Sequence, residues 1–309
     1  MAAEALPAGL VAEAECMVAA LRRELTSERL VLLRDVRLSP LRQQTNETCL
    51  PVTSPAAFTA AWSQALTEVA WVWPLAPETG GVLADLSAEV AAAGKGLLGS
   101  RPEAVRLSGD KYATFRRLEE KAIPCVPTWR ADGFDGGLPP PWVVKPADGV
   151  GCDGVRLVTE ARPPATGLIQ PYLDGEFLSL SAVFAAGAGV CLSVNRQRIE
   201  IEAGIFHLRG CEVNALPLTD AWQELVSRIA AAIPGLWGYG GIDVIRTATG
   251  PVVVEINPRL TLSYAGLREA LGVPLAPEIV ALARGETDLA GIARWRRRLG
   301  RGRSVWVEA

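Results

Sequence analysis

The chain has 309 residues, 49% of them hydrophobic and 21% charged, enough to bury a substantial core in two or three lobes. Its formal charge of −3 argues against the clustered cationic surface of a nucleic-acid binder. The acidic N-terminus and the lack of any long apolar run argue against a signal peptide or a membrane span. A cytoplasmic protein with no nucleic-acid and no membrane partner is expected. The six cysteines, at 16, 49, 125, 152, 191 and 211, form no CxxC pair and suit reduced thiols.

In chain order, AECMVAALRREL predicts a helix and RLVLLRDVRL a strand. Phe58–Leu66 reads as a helix, VAWVWPLA as a buried strand, and VLADLSAEVAAAGKGL as an amphipathic helix closing at Gly96 or Gly99. This rhythm predicts an α/β lobe with parallel strands over residues 1–105. One helix is expected over Arg106–Lys121, then an extended IPCVPTW. After the prolines at 139–141, WVVKPADGVGCDGVRLV reads as strand, glycine-rich loop and strand. GLIQPYL, FLSLSAVFAA, VCLSVNRQRIEI, GYGGIDVIR and PVVVEI read as strands, and Ala221–Ile233 and Leu275–Arg284 as helices. The Arg-rich RWRRRLGRGR is expected to be a solvated face or an interface.

The most informative segment is PVVVEINPR, where a β-branched run ends in a carboxylate, an amide and a guanidinium. Alternation along a strand puts Glu255 and Asn257 on one face, where both side-chain oxygens can reach one hard cation. Arg259 follows and suits phosphate. Asp243, on the preceding strand, faces Glu255 only if the hairpin loop holds an odd number of residues. A three-residue loop Ala248–Gly250, with Gly250 left-handed, meets that condition, so Asp243, Glu255 and Asn257 are expected to converge on Mg²⁺.

Gly149, Gly151 and Gly154 let the loop after Lys145 turn its N–H groups toward a polyphosphate. The loop matches neither GxxxxGK[ST] nor a dinucleotide fingerprint, because no helix follows it. Lys145, at the end of WVVK, and Lys111, in SGDKYATF, are candidate phosphate cations, although a lysine at a helix start is commonly solvated. The segment Gln170–Glu176 reads either as an ordinary turn or as a hinge whose backbone meets a purine while Glu176 accepts from ribose hydroxyls. The single His207 is expected to be structural.

Lys111, VVKP with its glycine loop, QPYLDGE, Asp243 and EINPR, in this order and spacing, resemble the ATP-grasp superfamily over nearly the whole chain. The resemblance implies an α/β (α+β) class chain: a pre-ATP-grasp lobe at 1–105, a lid at 106–172, and a core at 173–309 carrying the metal strands and a basic tail. LAPETGGVL, LLGS, GDKYATF, LSVNRQRI and INPRLTLSY are similar to the tyramine– or tyrosine–glutamate ligases of methanofuran and methylofuran biosynthesis. By that resemblance Lys111, Lys145 and the backbone of Gly149, Gly151 and Gly154 would bind ATP phosphates, and Gln170, Tyr172 and Leu173 would meet adenine. Glu176 would hold ribose, and Asp243, Glu255 and Asn257 would carry one or two Mg²⁺, with Mn²⁺ an alternative ion. Arg259 would steady the transferred phosphoryl group, and Asn195 and Arg196 would point toward the acceptor carboxylate or the acyl phosphate. Cys152 is assigned no chemistry. D-alanine ligases carry an arginine where this chain has Gly241, which disfavours that activity.

The implied reaction is an ATP-dependent carboxylate–amine ligation through an acyl phosphate, with glutamate as the carboxylate and tyramine or tyrosine as the amine. An aromatic acceptor needs an apolar slot, for which nine tryptophans are candidates. A small-molecule kinase, another amino-acid ligase of the superfamily and a nucleotide-binding regulator are the competing readings, and a homodimer is compatible with all of them.

Overall fold

The computed structural model describes residues 6, 8–149, 151–159 and 166–309. The chain begins with α1 (Ala8–Glu24), β1 (Leu30–Asp35), β2 (Glu47–Val52), α2 (Pro55–Glu68) and β3 (Trp71–Val72). A 3₁₀ turn at Thr79–Gly81, α3 (Val82–Ala92), β4 (Gly96–Leu97) and α4 (Pro102–Gly109) follow. β1 pairs with β2 and β3 with β4, both parallel, as the βα rhythm predicts. The strand expected over VAWVWPLA shrinks to Trp71–Val72, because Pro74 and Pro77 cannot donate to a ladder. Ser54 caps α2 by accepting from the Ala57 N–H at 3.1 Å, with Pro55 opening the helix.

The helix expected over Arg106–Lys121 is two helices, α4 and α5 (Lys111–Glu120). Asp110 divides them: its backbone leaves the helical region, and its carboxylate accepts from the N–H groups of Tyr112 and Ala113, both at 2.9 Å. An Asp after Gly109 is a ready N-cap, and the break puts Lys111 on the first turn of a new helix.

Next come β5 (Trp129–Arg130), β6 (Trp142–Lys145), β7 (Arg156–Val158) and β8 (Leu168–Pro171). They are followed by β9 (Glu176–Ala185), β10 (Ala188–Glu202), β11 (Ile205–Leu216), α6 (Asp220–Ala232), β12 (Gly238–Thr247) and β13 (Gly250–Asn257). The chain closes with α7 (Tyr264–Leu271), α8 (Ala276–Arg284), α9 (Leu289–Arg298) and β14 (Val305–Glu308). Among the described residues β5–β14 form one sheet in the order β13-β12-β9-β10-β11-β7-β6-β8-β5, with β14 also on β11. Among the described residues β11 pairs with β7 only at Ile205 and Arg156, so the two halves of the sheet share a narrow seam.

The larger half is covered on both faces. Leu178, Leu180, Ala182 and Phe184 of β9 pack with Trp222, Val226 and Ile229 of α6. On the other face Val183, Leu192, Val213 and Tyr239 pack with Leu267 and Ile279 of α7 and α8 and with Met17, Ala20 and Leu21 of α1. Glu24 locks α1 there, its Oε2 accepting from Tyr264 Oη at 2.9 Å and from the N–H groups of Leu275 and Ala276 at 2.9 and 2.8 Å. The first helix therefore packs on the last third of the chain. The expected solvated face of RWRRRLGRGR is only partly so: Arg296 is buried and donates to the carbonyls of Leu192 and Gly300 at 2.5 and 2.7 Å.

Candidate active site

Along β9 the face turned toward α7 changes from Val183 to Ser181 and Ser179, so the apolar layer gives way to a polar row. Asn195, Ser179, Asp243 and Glu255 lie directly opposite one another on β10, β9, β12 and β13. This row floors a cleft whose roof carries Val143 and Lys145 of β6, Gln170 and Pro171 of β8, and Gly151 and Cys152 of the glycine-rich loop.

Asp243 faces Glu255, but not through the expected three-residue loop. Thr247 pairs with Gly250, so the turn has two residues, Ala248 and Thr249. A bulge restores the parity: Asp243 pairs with Glu255 while Val244 pairs with Val253, leaving Val254 as the extra residue. Asn257 Nδ2 donates to Asp243 Oδ2 at 3.1 Å. Burial, then Glu255, pushes the Asp243 carboxyl well above the usual carboxylate range. Burial alone would raise Glu255 too, but Lys111 and Lys145 beside it hold it low.

Lys111 joins the parts. Its Nζ donates to the Gly149 carbonyl at 2.6 Å and contacts Glu255 Oε2 at 2.9 Å, and its N–H donates to the Ala147 carbonyl at 3.0 Å. Lys145 is 4% exposed, and burial pulls its ammonium down to about 8 against the raising influence of Glu255. The loop itself is a hairpin between β6 and β7. Gly151 and Gly154 have φ of 59° and 70°, and a Cβ at Gly154 would stand 2.9 Å from Pro146 Cγ. The loop is latched to the N-terminal 3₁₀ turn: Thr79 Oγ1 donates to the Asp148 carbonyl at 2.8 Å and the Gly80 N–H to Asp148 Oδ2 at 3.2 Å.

Arg259, after β13, lines the cleft with its Nε on both carboxylate oxygens of Glu78, at 3.0 and 2.9 Å. Tyr239 Oη meets Ser181, Thr261 and Ser263 hydroxyls, each at 3.0 Å, which fixes the turn that follows Arg259. Gly241 sits where a Cβ would meet Thr261 Cγ2 at 2.7 Å, so any side chain there would have to displace Thr261. Gln170, Tyr172 and Leu173 line the opposite end of the cleft with Val143, Phe177 and Ile245.

Two expected ligands do not face this cleft. Glu176 and Arg196 belong to the α6 side of the sheet, because Arg196 pairs with Leu178 and Glu176 with Arg246. Arg196 Nε donates to Glu176 Oε1 at 2.7 Å and its Nη1 to Glu212 at 2.6 Å, while Arg246 also donates to Glu176. Strand alternation gives the place in the cleft to the neighbour, Gln197, whose Nε2 donates to Asp243 Oδ1 at 3.0 Å. Asn195 is on the cleft face but wholly buried, accepting from Ser193 Oγ at 2.8 Å and the Asn214 N–H at 3.0 Å and donating to Ser181 at 3.0 Å. The cleft is lined by none of the nine tryptophans, and His207 lies opposite Glu200, outside it. All six cysteines are free, and burial raises the Cys152 thiol to about 12. Glu13, Glu78 and Gln197 are the residues that sequence reasoning missed.

Two carboxylates and an amide oxygen on adjacent strands are a donor set that could hold a hard divalent cation and leave positions open for phosphate oxygens. A glycine loop over two lysines, facing these acids across a cleft between the two halves of one sheet, is the architecture of an ATP-grasp protein. Residues 108–263 match the ATP-grasp domain model and residues 28–105 the pre ATP-grasp 3 domain model, and the chain belongs to the ATP-grasp family.

The chain is 32% identical over 195 residues to the tyramine–L-glutamate ligase of Methanocaldococcus jannaschii, covering 63% of this chain and 57% of that protein. It is 31% identical over 208 residues to the probable alpha-L-glutamate ligase of Stenotrophomonas maltophilia, covering 60% and 69%. The chain thus spans less than two thirds of the tyramine–glutamate ligase it matches. In fold it is similar to an ATP-grasp superfamily protein of Archaeoglobus fulgidus, with TM-score 0.61, 20% identity and coverage of 84% and 88%. It is likewise similar to the biotin carboxylase of Campylobacter jejuni, with TM-score 0.69, 14% identity and coverage of 91% and 70%. No described helix is long and apolar enough to cross a membrane.

Proposed function

We propose that this protein is an ATP-dependent carboxylate–amine ligase that releases ADP and joins glutamate to tyramine or tyrosine, in the synthesis of a methanofuran-type one-carbon carrier. The observation that carries the reading is the position of Lys111, which touches both the glycine loop and Glu255. One cation thereby links the phosphate cover to the acids.

Asp243, Glu255 and Asn257 would hold Mg²⁺, one ion or two, and Mn²⁺ would fit the same oxygens. Held there, the ion would supply charge neutralisation for the transferred phosphoryl group. Lys145 and Lys111 bind the phosphates, and the 149–154 backbone covers them. Gln170, Tyr172 and Leu173 receive the adenine. A substrate carboxylate oxygen attacks the γ-phosphorus, the bond to the ADP oxygen breaks, and an acyl phosphate forms. The amine nitrogen then attacks the acyl carbon, and phosphate leaves with the bonding electron pair. Arg259 steadies the phosphoryl group while the latched loop keeps water away. Nothing in this sequence requires a protein nucleophile, which accords with a cleft whose thiols are held protonated by burial.

The test is a screen of carboxylates against amines for ADP release by the full chain with ATP and Mg²⁺. ADP release that needs both glutamate and tyramine or tyrosine supports the reading. ADP release with a single substrate and a stable phosphorylated product would make the protein a kinase instead.

A further inference from the structure

On α1 the buried stripe Met17, Ala20, Leu21 and Glu24 follows helical spacing. Continued four residues back, the stripe reaches Glu13, where a carboxylate stands in place of an apolar residue. Glu13 and Glu24 are eleven residues apart, close to three full turns, so they share one face. Glu24 is fixed by three hydrogen bonds on α7 and α8. The helix therefore runs from that anchor past the edge of the core, and Glu13 lines the cleft.

Three further observations bear on this carboxylate. It takes part in no hydrogen bond or ion pair among the described residues, whereas Glu78, the other N-terminal acid near Arg259, is taken up by that guanidinium. Burial raises its carboxyl above the ordinary range, with Arg259 the opposing charge. It also acts on Cys152, whose thiol approaches the Leu208 backbone. Leu208 belongs to an apolar wall with Ile199 and Phe206 on the β10–β11 hairpin and Val155 after the glycine loop. A partly desolvated carboxylate with no hydrogen bond or ion pair among the described residues, lining the same cleft as this apolar wall and as Arg259, has the features of a subsite for a cation on an apolar body.

We infer that Glu13 with Ile199, Phe206 and Leu208 forms the acceptor subsite, which takes a primary ammonium on an aryl-bearing body. Resting on the ligase reading, Glu13 pairs with the ammonium and accepts its proton, so that the neutral amine attacks the acyl phosphate. The proton lost from nitrogen as the C–N bond forms leaves with the phosphate. The apolar wall supplies the slot for which no tryptophan is present.

The test is calorimetric titration of the full chain, with Mg²⁺ and the non-hydrolysable analogue AMP-PNP, using tyramine, 4-ethylphenol and L-glutamate as separate probes. Tyramine is expected to bind at least about 10-fold more tightly than 4-ethylphenol, and E13Q to erase that difference. F206A is expected to weaken both aryl probes together. Retention of the tyramine preference by E13Q, or its absence from the wild type, overturns the assignment. Loss of L-glutamate affinity in E13Q with tyramine affinity kept also overturns it, placing the carboxylate substrate's ammonium there instead. Binding is read without turnover, so the ligase reading fails or stands separately, on the ADP assay.

Discussion

Two charge clusters occupy opposite faces of the same strands. On the cleft face Lys145 is buried and Asp243, Glu255 and Lys111 are largely enclosed, and their titrations are displaced by desolvation and by one another. On the α6 face Glu176, Arg196, Arg246 and Glu212 form a chain of ion pairs in which the arginines keep 44% of their side-chain surface. Both are networks of opposite charges brought together by the same sheet. Solvent makes them different: the exposed chain is screened and stabilises little, whereas the enclosed one carries the desolvation cost of its charges. Charge count alone does not mark a site; its face does.

Substitutions can break this comparison, and the largest effects belong to the cleft. Glu255→Gln and Lys145→Met should each lower amine-dependent ADP release by at least about 10³-fold. Survival of that activity in Glu255→Gln would end the catalytic account. Lys145→Met should nonetheless unfold no more easily than wild type at pH 7. The lysine's folded-state pKa, about 8, is below the ordinary 10.5, so the unfolded chain binds more protons between those values and this group's contribution to stability rises with pH there. Thermal melts across pH 7.5–10.5 should show wild type gaining relative to the variant.

Asp243→Asn sharpens the contrast. Its folded carboxyl is raised by burial and by Glu255, so ionising it above the usual carboxylate range costs the folded state stability. The variant should melt higher than wild type without Mg²⁺ at pH 7, by a few degrees for about 1 kcal/mol, and should lose most Mg²⁺-dependent turnover. Thr79→Val removes one latch on the glycine loop and should raise the KM for ATP by about 3- to 10-fold, in line with one hydrogen bond. Arg196→Gln and Glu176→Gln should be the mildest, changing kcat/KM by less than about 3-fold. A 10-fold loss of ATP affinity in Glu176→Gln would return that residue to the ribose and erase the distinction between the faces.

Much of the site was legible because strand period and polar chemistry coincide at EINPR. A β-branched run leaves its alternate carboxylate and amide on one side whatever surrounds it. The two facing errors arose where local pattern must be combined with pairing. Arg196 and Gln197 are adjacent, and only the register against β9, shifted by the irregularity between Cys191 and Ser193, decides which reaches the cleft. Glu176 needs its partner Arg246 to be placed. Glu78 and Glu13 were missed because their signal is tertiary: one answers a guanidinium 181 residues away, and the other is an acid on an otherwise apolar helical stripe. β11 and α7 were not anticipated, being short or carrying mixed periodicity that packing resolves.

The extra residue at Val254 has a consequence for sequence change. Val254 stands outside the ladder, with Val253 and Glu255 on either side of it paired to Val244 and Asp243. Removing it, or lengthening the turn beyond Thr247, leaves both acids opposed, whereas one residue gained or lost within the paired stretch 250–253 moves Glu255 off Asp243. Length variation is therefore expected at the turn and at 254 but not between them, a footprint that ordinary substitution tolerance would not leave.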